Sequence, residues 1–172
     1  EHLRNLERQA RHVDPSLAGH AVFRDPERMI EAEDLVERAL AGDVPSTGPS
    51  PAFVRDAFEV GTSNQLAVHA ADAVVAEPAL RYNPLVLYGP SGVGKTHLVH
   101  AIGNALLQRA GTVAAVAVVN SQQLVDELIE AVKEGSVDRW RARYRSVSAF
   151  IVDDIQFLGG KERTQEEFFG IF

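Results

Sequence analysis

The residues whose types and spacing point most directly to chemistry lie in the stretch YGPSGVGKTHL, residues 88–98. Gly89, four further residues and then Gly94-Lys95-Thr96 reproduce the spacing of a phosphate-binding loop. In such a loop, backbone N–H groups face the phosphates, the lysine reaches the β- and γ-phosphates, and the threonine hydroxyl ligates Mg²⁺. A glycine-rich turn without a ligand has a similar composition, so the flanking elements decide the interpretation.

The flanking sequence supplies the context that a phosphate loop requires. PLVLYG, residues 84–89, is a short apolar run typical of a buried parallel strand, and KTHLVHAIGNALLQRAG continues as a helix that ends at Gly111. A loop that follows a strand and opens a helix is the structural setting of nucleotide binding. We therefore assign a nucleotide site to Gly89, Pro90, Ser91, Gly92, Val93, Gly94, Lys95, Thr96 and His97.

A pair of acids follows a second apolar run, AFIVDD, residues 149–154. Asp153, at the end of that predicted strand, stands where a carboxylate holds Mg²⁺ beside a phosphate loop, and Thr96 is the expected second metal ligand. Asp154 could orient or deprotonate an attacking water. Strands that end in solvated acids are common, but the phosphate loop upstream favours the catalytic interpretation. Lys95, Asp153 and Asp154 are the predicted catalytic residues.

The elements that must position these residues alternate between strand and helix patterns. Helices are predicted from Ser63 to Pro78, from Asn120 to residue 135 and over residues 137–144, and another buried strand over residues 112–119. Asn120 is the expected cap of the second helix, and the apolar face of that helix includes Ile129. This order predicts an α/β fold with a parallel sheet. Residues 1–42 form a helical N-terminal segment of unassigned role, residues 43–52 a Pro/Ser/Gly-rich linker, and residues 53–172 the α/β domain.

Composition limits the remaining possibilities. The 172 residues suffice for one domain, and the absence of cysteine excludes disulfides and thiolate metal sites, which fits a cytoplasmic protein. No apolar run is long enough to span a membrane. The net charge of −7 argues against indiscriminate coating of nucleic acid. The six histidines are scattered, and His97 with His100 are interpreted as structural. Because the chain stops in an apolar run at residue 172, we expect a fragment.

Longer stretches resemble the AAA+ ATPase domain of the DnaA family of bacterial replication initiators. They are FEVGTSNQLAVHAA, YNPLVLYGPSGVGKTHLVHAIGN and RYRSVSAFIVDDIQFLGGKERTQEEFF, between Phe58 and Phe169. The resemblance implies a truncated P-loop NTPase fold of AAA+ type, with ATP or ADP and Mg²⁺ as cofactors. It implies that Val60, Gly61 and Asn64 lie beside adenine. Pro90 and Ser91 depart from the usual loop, and Pro90 lacks an N–H group.

The same resemblance implies a contact with DNA. The helices between residues 121 and 144 are similar to the family's initiator-specific insertion, which lines a channel for single-stranded DNA. Four residues fall on positions that contact or border that strand: Ile129, Lys161, Arg163 and Thr164. The residues alone leave an exposed surface pairing of Lys161 and Arg163 open. Four alternating arginines, residues 139–145, are interpreted as a solvated helix face. The family also implies self-association into AAA+ oligomers and the replicative helicase as a further partner.

The resemblance leaves three functions open: an ATP-switched initiator that assembles on DNA, opens an origin and hydrolyses ATP slowly; a related regulator or helicase loader; and an interaction module with ATP as a structural ligand. Sensor residues, an arginine finger and a duplex-DNA-binding domain would lie beyond residue 172, so hydrolysis by this chain alone should be negligible. AAA+ sheets have the strand order 5-1-4-3-2. The strands at residues 85–88 and 150–153 should therefore be separated by an empty strand-wide gap with unpaired edges, which would make the fragment unstable.

Overall fold

The computed structural model describes residues 45, 47–77, 81–110 and 116–171, and the backbone of residues 18–24. Its strands are β1 (Ala18–Arg24), β2 (Leu85–Gly89), β3 (Val116–Asn120) and β4 (Ala149–Asp153). Its α-helices are α1 (Gln65–Ala76), α2 (Lys95–Ala110), α3 (Ser121–Glu134), α4 (Val137–Arg145) and α5 (Glu162–Phe169). Short 3₁₀ turns cover Arg55–Ala57 and Ile155–Leu158.

The four strands form one sheet in the order β2-β1-β4-β3. β3 and β4 are parallel, and β1 is antiparallel to both of its neighbours, β2 and β4. The three strands predicted from sequence therefore all point in the same direction. The carboxyl ends of these three strands lie at one edge of the sheet: β2 leads into the phosphate loop, β3 ends at Asn120 and β4 ends at Asp153. Open α/β sheets bind ligands at this edge.

The gap between β2 and β4 is present, but it is not empty. β1 fills it: Ala21 is in register with Val86 on one side and with Val152 on the other. The expectation of unpaired edges along this gap is therefore wrong, because the N-terminal segment supplies a backbone partner to both strands. The helical expectation is also wrong for residues 18–24. The rest of the predicted N-terminal helical segment lies outside the described residues.

Two apolar cores cover the two faces of the sheet. On one face, α1 and α2 pack against alternate residues of the strands, including Val116, Val118 and Ile151. On the other face, α3, α4 and α5 pack against the intervening residues, including Val119 and Val152. The near-continuous burial of β3 and β4 follows from this arrangement, because a strand covered on both faces must be apolar at every position. None of the described helices is long and apolar enough to cross a membrane.

The described part of the expected linker lies against the domain. The Val118 N–H donates to the Thr47 carbonyl at 2.9 Å, and Pro49 is buried. Pro49 also contacts α2 closely enough that a side chain at Gly103 would lie 2.9 Å from its Cβ. Residues 47–50 are thus fixed to the sheet and to α2, whereas the position of the domain boundary stays a prediction.

Candidate nucleotide and magnesium site

The loop between β2 and α2 has the backbone that phosphate binding needs. Residues 90–93 are exposed and lead into the N-terminus of α2. Gly92 and Gly94 have φ angles of +83° and +90°, which side chains rarely tolerate, so the predicted glycine requirement has a conformational basis. The unpaired N–H groups of the first helical turn and the helix dipole make this terminus favourable for an anion.

Lys95 lies across this loop. Its Nζ donates to the carbonyl oxygen of Pro90 at 2.7 Å. The proline lacks an N–H group, but its carbonyl oxygen keeps the ammonium group over the loop, where a phosphate would compete for it. Lys95 thus stays in contact with the loop although Pro90 departs from the usual loop sequence.

Thr96 and Asp153 meet although they are far apart in the sequence. The Thr96 hydroxyl donates to Oδ1 of Asp153 at 3.4 Å, which joins the first turn of α2 to the end of β4. Both groups offer oxygen atoms as metal ligands, the type that Mg²⁺ prefers. Magnesium sites beside nucleotides use few protein ligands, because phosphate oxygens and waters complete the octahedral coordination of the ion. The residues present fit a nucleotide-bound Mg²⁺.

Asp154 is held in an unusual conformation by neighbours that the sequence analysis did not assign to the site. Its φ of +58° lies in the left-handed region. The buried Ser121 hydroxyl donates to its carbonyl oxygen at 2.6 Å, and the Gln156 amide donates to its Oδ1 at 3.1 Å. The Asn120 amide lies 3.5 Å from its Oδ2. These contacts restrict the rotation of the carboxylate.

One of these neighbours carried a recognisable signal. Asn120 was predicted only as a helix cap, and its Oδ1 does accept from the Gln122 N–H at 2.8 Å. It also ends β3, in register with Asp153 on the parallel strand β4. A polar residue at the carboxyl end of a strand beside an acid-bearing strand is therefore the pattern that could have assigned it to the site. Ser121 and Gln156 carried no comparable signal.

The predicted adenine-side residues lie in a compact turn before α1. Val60 is exposed, and Asn64 closes the turn: its Oδ1 accepts from the Gly61 N–H at 2.8 Å, and its amide donates to the Glu59 carbonyl at 2.9 Å. Asn64 thus shapes the turn that presents Val60 and Gly61. Their contact with adenine stays a prediction.

His97 faces the segment before α1 rather than the phosphate loop. Its Nε2 donates to the Val54 carbonyl at 2.9 Å, and its ring packs against Phe53 and Phe58 at centroid distances of 5.1 and 5.3 Å. These contacts agree with the structural interpretation of this histidine.

The four predicted DNA-contacting residues differ in accessibility. Ile129, on α3, is 48% exposed although it was expected to belong to the apolar face of that helix. Lys161, the residue before α5, is partly exposed, and Arg163 is exposed in the first turn of that helix. Thr164 is 8% exposed, so most of its side chain faces the protein. Accessibility therefore favours the first three over Thr164.

Two of the four alternating arginines, Arg141 and Arg143, are only partly exposed, so the solvated-face interpretation is wrong for them. Arg141 pairs with Glu167 of α5 at 2.5 Å, Arg143 pairs with Glu127 of α3, and Arg145 donates to the carbonyls of residues 170 and 171. These contacts fasten α4 to both neighbouring helices. Arg139 and Arg145 are exposed, and neither forms an ion pair among the described residues.

Tyr144 completes the junction between α3 and α4. Its hydroxyl donates to Oε2 of Glu127 at 2.5 Å, and its ring packs against Phe150 of the sheet at 4.8 Å. Burial, and then the hydrogen bond to the Glu127 carboxylate, raise the pKa of this phenol well above its ordinary value of 10.0. The two helices therefore act as one unit that is anchored in the core.

The chain is similar to known replication initiator proteins. The chain is 40% identical over 146 residues to the chromosomal replication initiator protein DnaA of Aliarcobacter butzleri, which covers 85% of this chain and 33% of that protein. It is 46% identical over 127 residues to the DnaA of Methylacidiphilum infernorum, covering 74% of this chain and 28% of that protein. The chain thus spans about a third of the length of these relatives.

Solved structures give the same result. A replication initiator DnaA bound to AMPPCP and single-stranded DNA matches 72% of this chain and 38% of its own, at 34% identity and a TM-score of 0.63. Domain III of DnaA from Thermotoga maritima matches 73% of this chain and 52% of its own, at 32% identity and a TM-score of 0.62. The family described as the bacterial DnaA ATPase domain matches residues 50–172. This chain belongs to the bacterial DnaA ATPase domain family.

Proposed function

We propose that this chain is the nucleotide-binding module of a replication initiator, which binds ATP with Mg²⁺, assembles on DNA in its ATP form to open an origin, and hydrolyses ATP slowly. Self-association into AAA+ oligomers and a contact with the replicative helicase belong to the same proposal. ADP is the bound product, and the cytoplasm is the compartment in which this function operates.

The convergence of four residues carries the proposal. Lys95 and Thr96 open α2, whereas Asp153 ends β4 and Asp154 follows it. The 3.4 Å contact between Thr96 and Asp153 brings the two pairs together at one edge of the sheet. Anion-binding backbone, a lysine, a hydroxyl and two carboxylates are the groups that phosphoryl transfer to water uses.

Each residue has a separate task in this proposal. Lys95 would exchange the Pro90 carbonyl for phosphate oxygens, while Thr96 and Asp153 would hold Mg²⁺. The ion, when bound, neutralises charge that develops on the phosphate oxygens. Asp154, whose carboxylate is restrained by Asn120 and Gln156, would orient the attacking water.

The accessible cations beside α5 support the DNA contact. Among the described residues, neither Lys161 nor Arg163 forms an ion pair, whereas Glu167, a potential partner on the same helix, is engaged by Arg141. Unpaired cations are available to phosphates. The exposed Ile129 would add an apolar contact with sugar or base. Thr164, which is mostly buried, would support the local backbone in this arrangement.

Nucleotide titration of the full-length protein tests the proposal. Lys95→Ala should abolish ATP binding, because it removes the charge that meets the phosphates. Asp154→Asn should keep ATP binding and slow hydrolysis by about 10²-fold or more, since asparagine tolerates the left-handed backbone and lacks the basic carboxylate. Lys133→Ala is the matched control, because this exposed lysine lies on α3 and pairs with Glu130. Equal ATP affinity in the wild type and Lys95→Ala would refute the nucleotide site.

A further inference from the structure

Phe58 is in direct contact with the phosphate loop. A Cβ atom placed on Gly94 would lie 2.9 Å from Cε2 of the Phe58 ring, closer than such atoms approach each other. Glycine is therefore required at position 94 for two reasons. Its φ of +90° disfavours other residues, and the aromatic ring occupies the space into which a side chain would project. The contact is on the backbone that precedes Lys95, where the orientation of the loop N–H groups is set.

The segment that carries this ring is fastened along one face of α2. The Ser50 N–H donates to Nδ1 of His100 at 2.9 Å, and the Asn104 amide donates to the carbonyls of Ser50 and Phe53, both at 2.8 Å. His97, His100 and Asn104 follow Gly94 at intervals of three or four residues, so they lie on one face of α2. The segment from residue 49 to residue 58 thus lies against the helix that the phosphate loop opens.

Phe58 also stands next to the turn that presents Val60 and Gly61. Three residues or fewer separate the ring that contacts Gly94 from the residues predicted beside adenine. The ring is half-buried and packs edge-on against His97, at 5.3 Å and an interplanar angle of 77°, and against the core between α1 and α2. Movement of the turn would therefore move the ring against the loop.

We propose that Phe58 is a positioning residue that holds the phosphate loop in its binding conformation and couples it to the adenine-side turn. The ring blocks the collapse of the Gly94 backbone away from the phosphates, since the loop itself is exposed and rich in glycine. Without the ring, only a fraction of molecules would hold the competent loop, and the apparent affinity would fall by that fraction. This inference rests on the proposed nucleotide site.

The test compares Phe58→Ala with Phe53→Ala in the full-length protein. Phe53 is the matched control, because it packs on the same histidine and on His100, whereas the three atoms nearest to a Cβ on Gly94 all belong to Phe58. Affinity for ATP and for inorganic tripolyphosphate, which has no adenine, is measured by competition with a fluorescent ATP analogue. The melting temperature is measured in parallel.

Phe58→Ala should weaken both ATP and tripolyphosphate by about tenfold, with Phe58→Leu in between, while Phe53→Ala lowers the melting temperature without this loss. Equal nucleotide affinities in the two alanine variants would overturn the proposal, and so would a loss for ATP that spares tripolyphosphate. If Phe58→Ala does not fold, Phe58→Leu is judged by the same criterion. Failure of Lys95→Ala to affect binding would instead refute the nucleotide site itself.

Discussion

Replacement of Lys161 and Arg163 by alanine is the perturbation that tests most directly whether the α5 end of the domain binds DNA. Both cations lie within three residues of each other at the start of α5, and neither is neutralised by an ion pair among the described residues. If each binds one phosphate of a single strand, the double variant loses two phosphate contacts. The affinity of the ATP-bound full-length protein for single-stranded DNA should then fall.

The salt dependence gives the magnitude. Each phosphate contact with a single strand contributes about 0.7 to the slope of log K against log salt, so two lost contacts reduce the slope by about 1.4. Over a fourfold rise in salt, from about 50 to about 200 mM, the wild type should therefore lose about sevenfold more affinity than the double variant. Fluorescence anisotropy of a labelled oligonucleotide at several salt concentrations measures both slopes, and ATP affinity should stay unchanged.

Two further variants sharpen the result. Arg139→Ala removes an exposed charge from α4 and should leave the slope as it is if the effect is specific to α5. Ile129→Ala should lower affinity without a change of slope, since an apolar contact releases no counterions. Unchanged affinity and slope in the double variant would refute the DNA contact. Lys161 and Arg163 would then be only surface charges, which contribute a few tenths of a kcal/mol to the stability of a helix.

Two remaining predictions concern stability. Ala21→Pro should destabilise the chain by roughly 1–3 kcal/mol, because it removes a backbone donor between β2 and β4 and leaves a carbonyl there unpaired; an unchanged midpoint of chemical denaturation would contradict the pairing of β1. Tyr144→Phe should lower stability at neutral pH, and the difference from wild type should shrink as pH rises above about 10. The raised pKa of Tyr144 keeps the folded phenol neutral while the unfolded phenol ionises, so its contribution is complete below that pH and is lost above it; a difference that stays constant to pH 11 would contradict this.

The local pattern of the sequence determined the elements that carry the site. The loop between β2 and α2, the strand that ends at Asp153 and the helix capped by Asn120 were all predicted where the structure has them. The helix predicted from Ser63 begins two residues later, after Asn64, because that side chain closes the preceding turn instead. These features depend on interactions between residues that are close in the sequence, so the local order of residue types is sufficient to predict them.

Tertiary structure alone decided which distant groups meet. The arginines of α4 have a spacing that fits an exposed face, yet Arg141 and Arg143 find carboxylates on two other helices. Pairing of β1 between β2 and β4 joins residues more than sixty positions apart, and no local pattern in residues 18–24 specifies it. The contact of Phe58 with Gly94 likewise depends on how the segment before α1 packs along α2. Strand pairing and packing depend on which surfaces remain to be covered once the elements form, and a one-dimensional pattern does not contain that information.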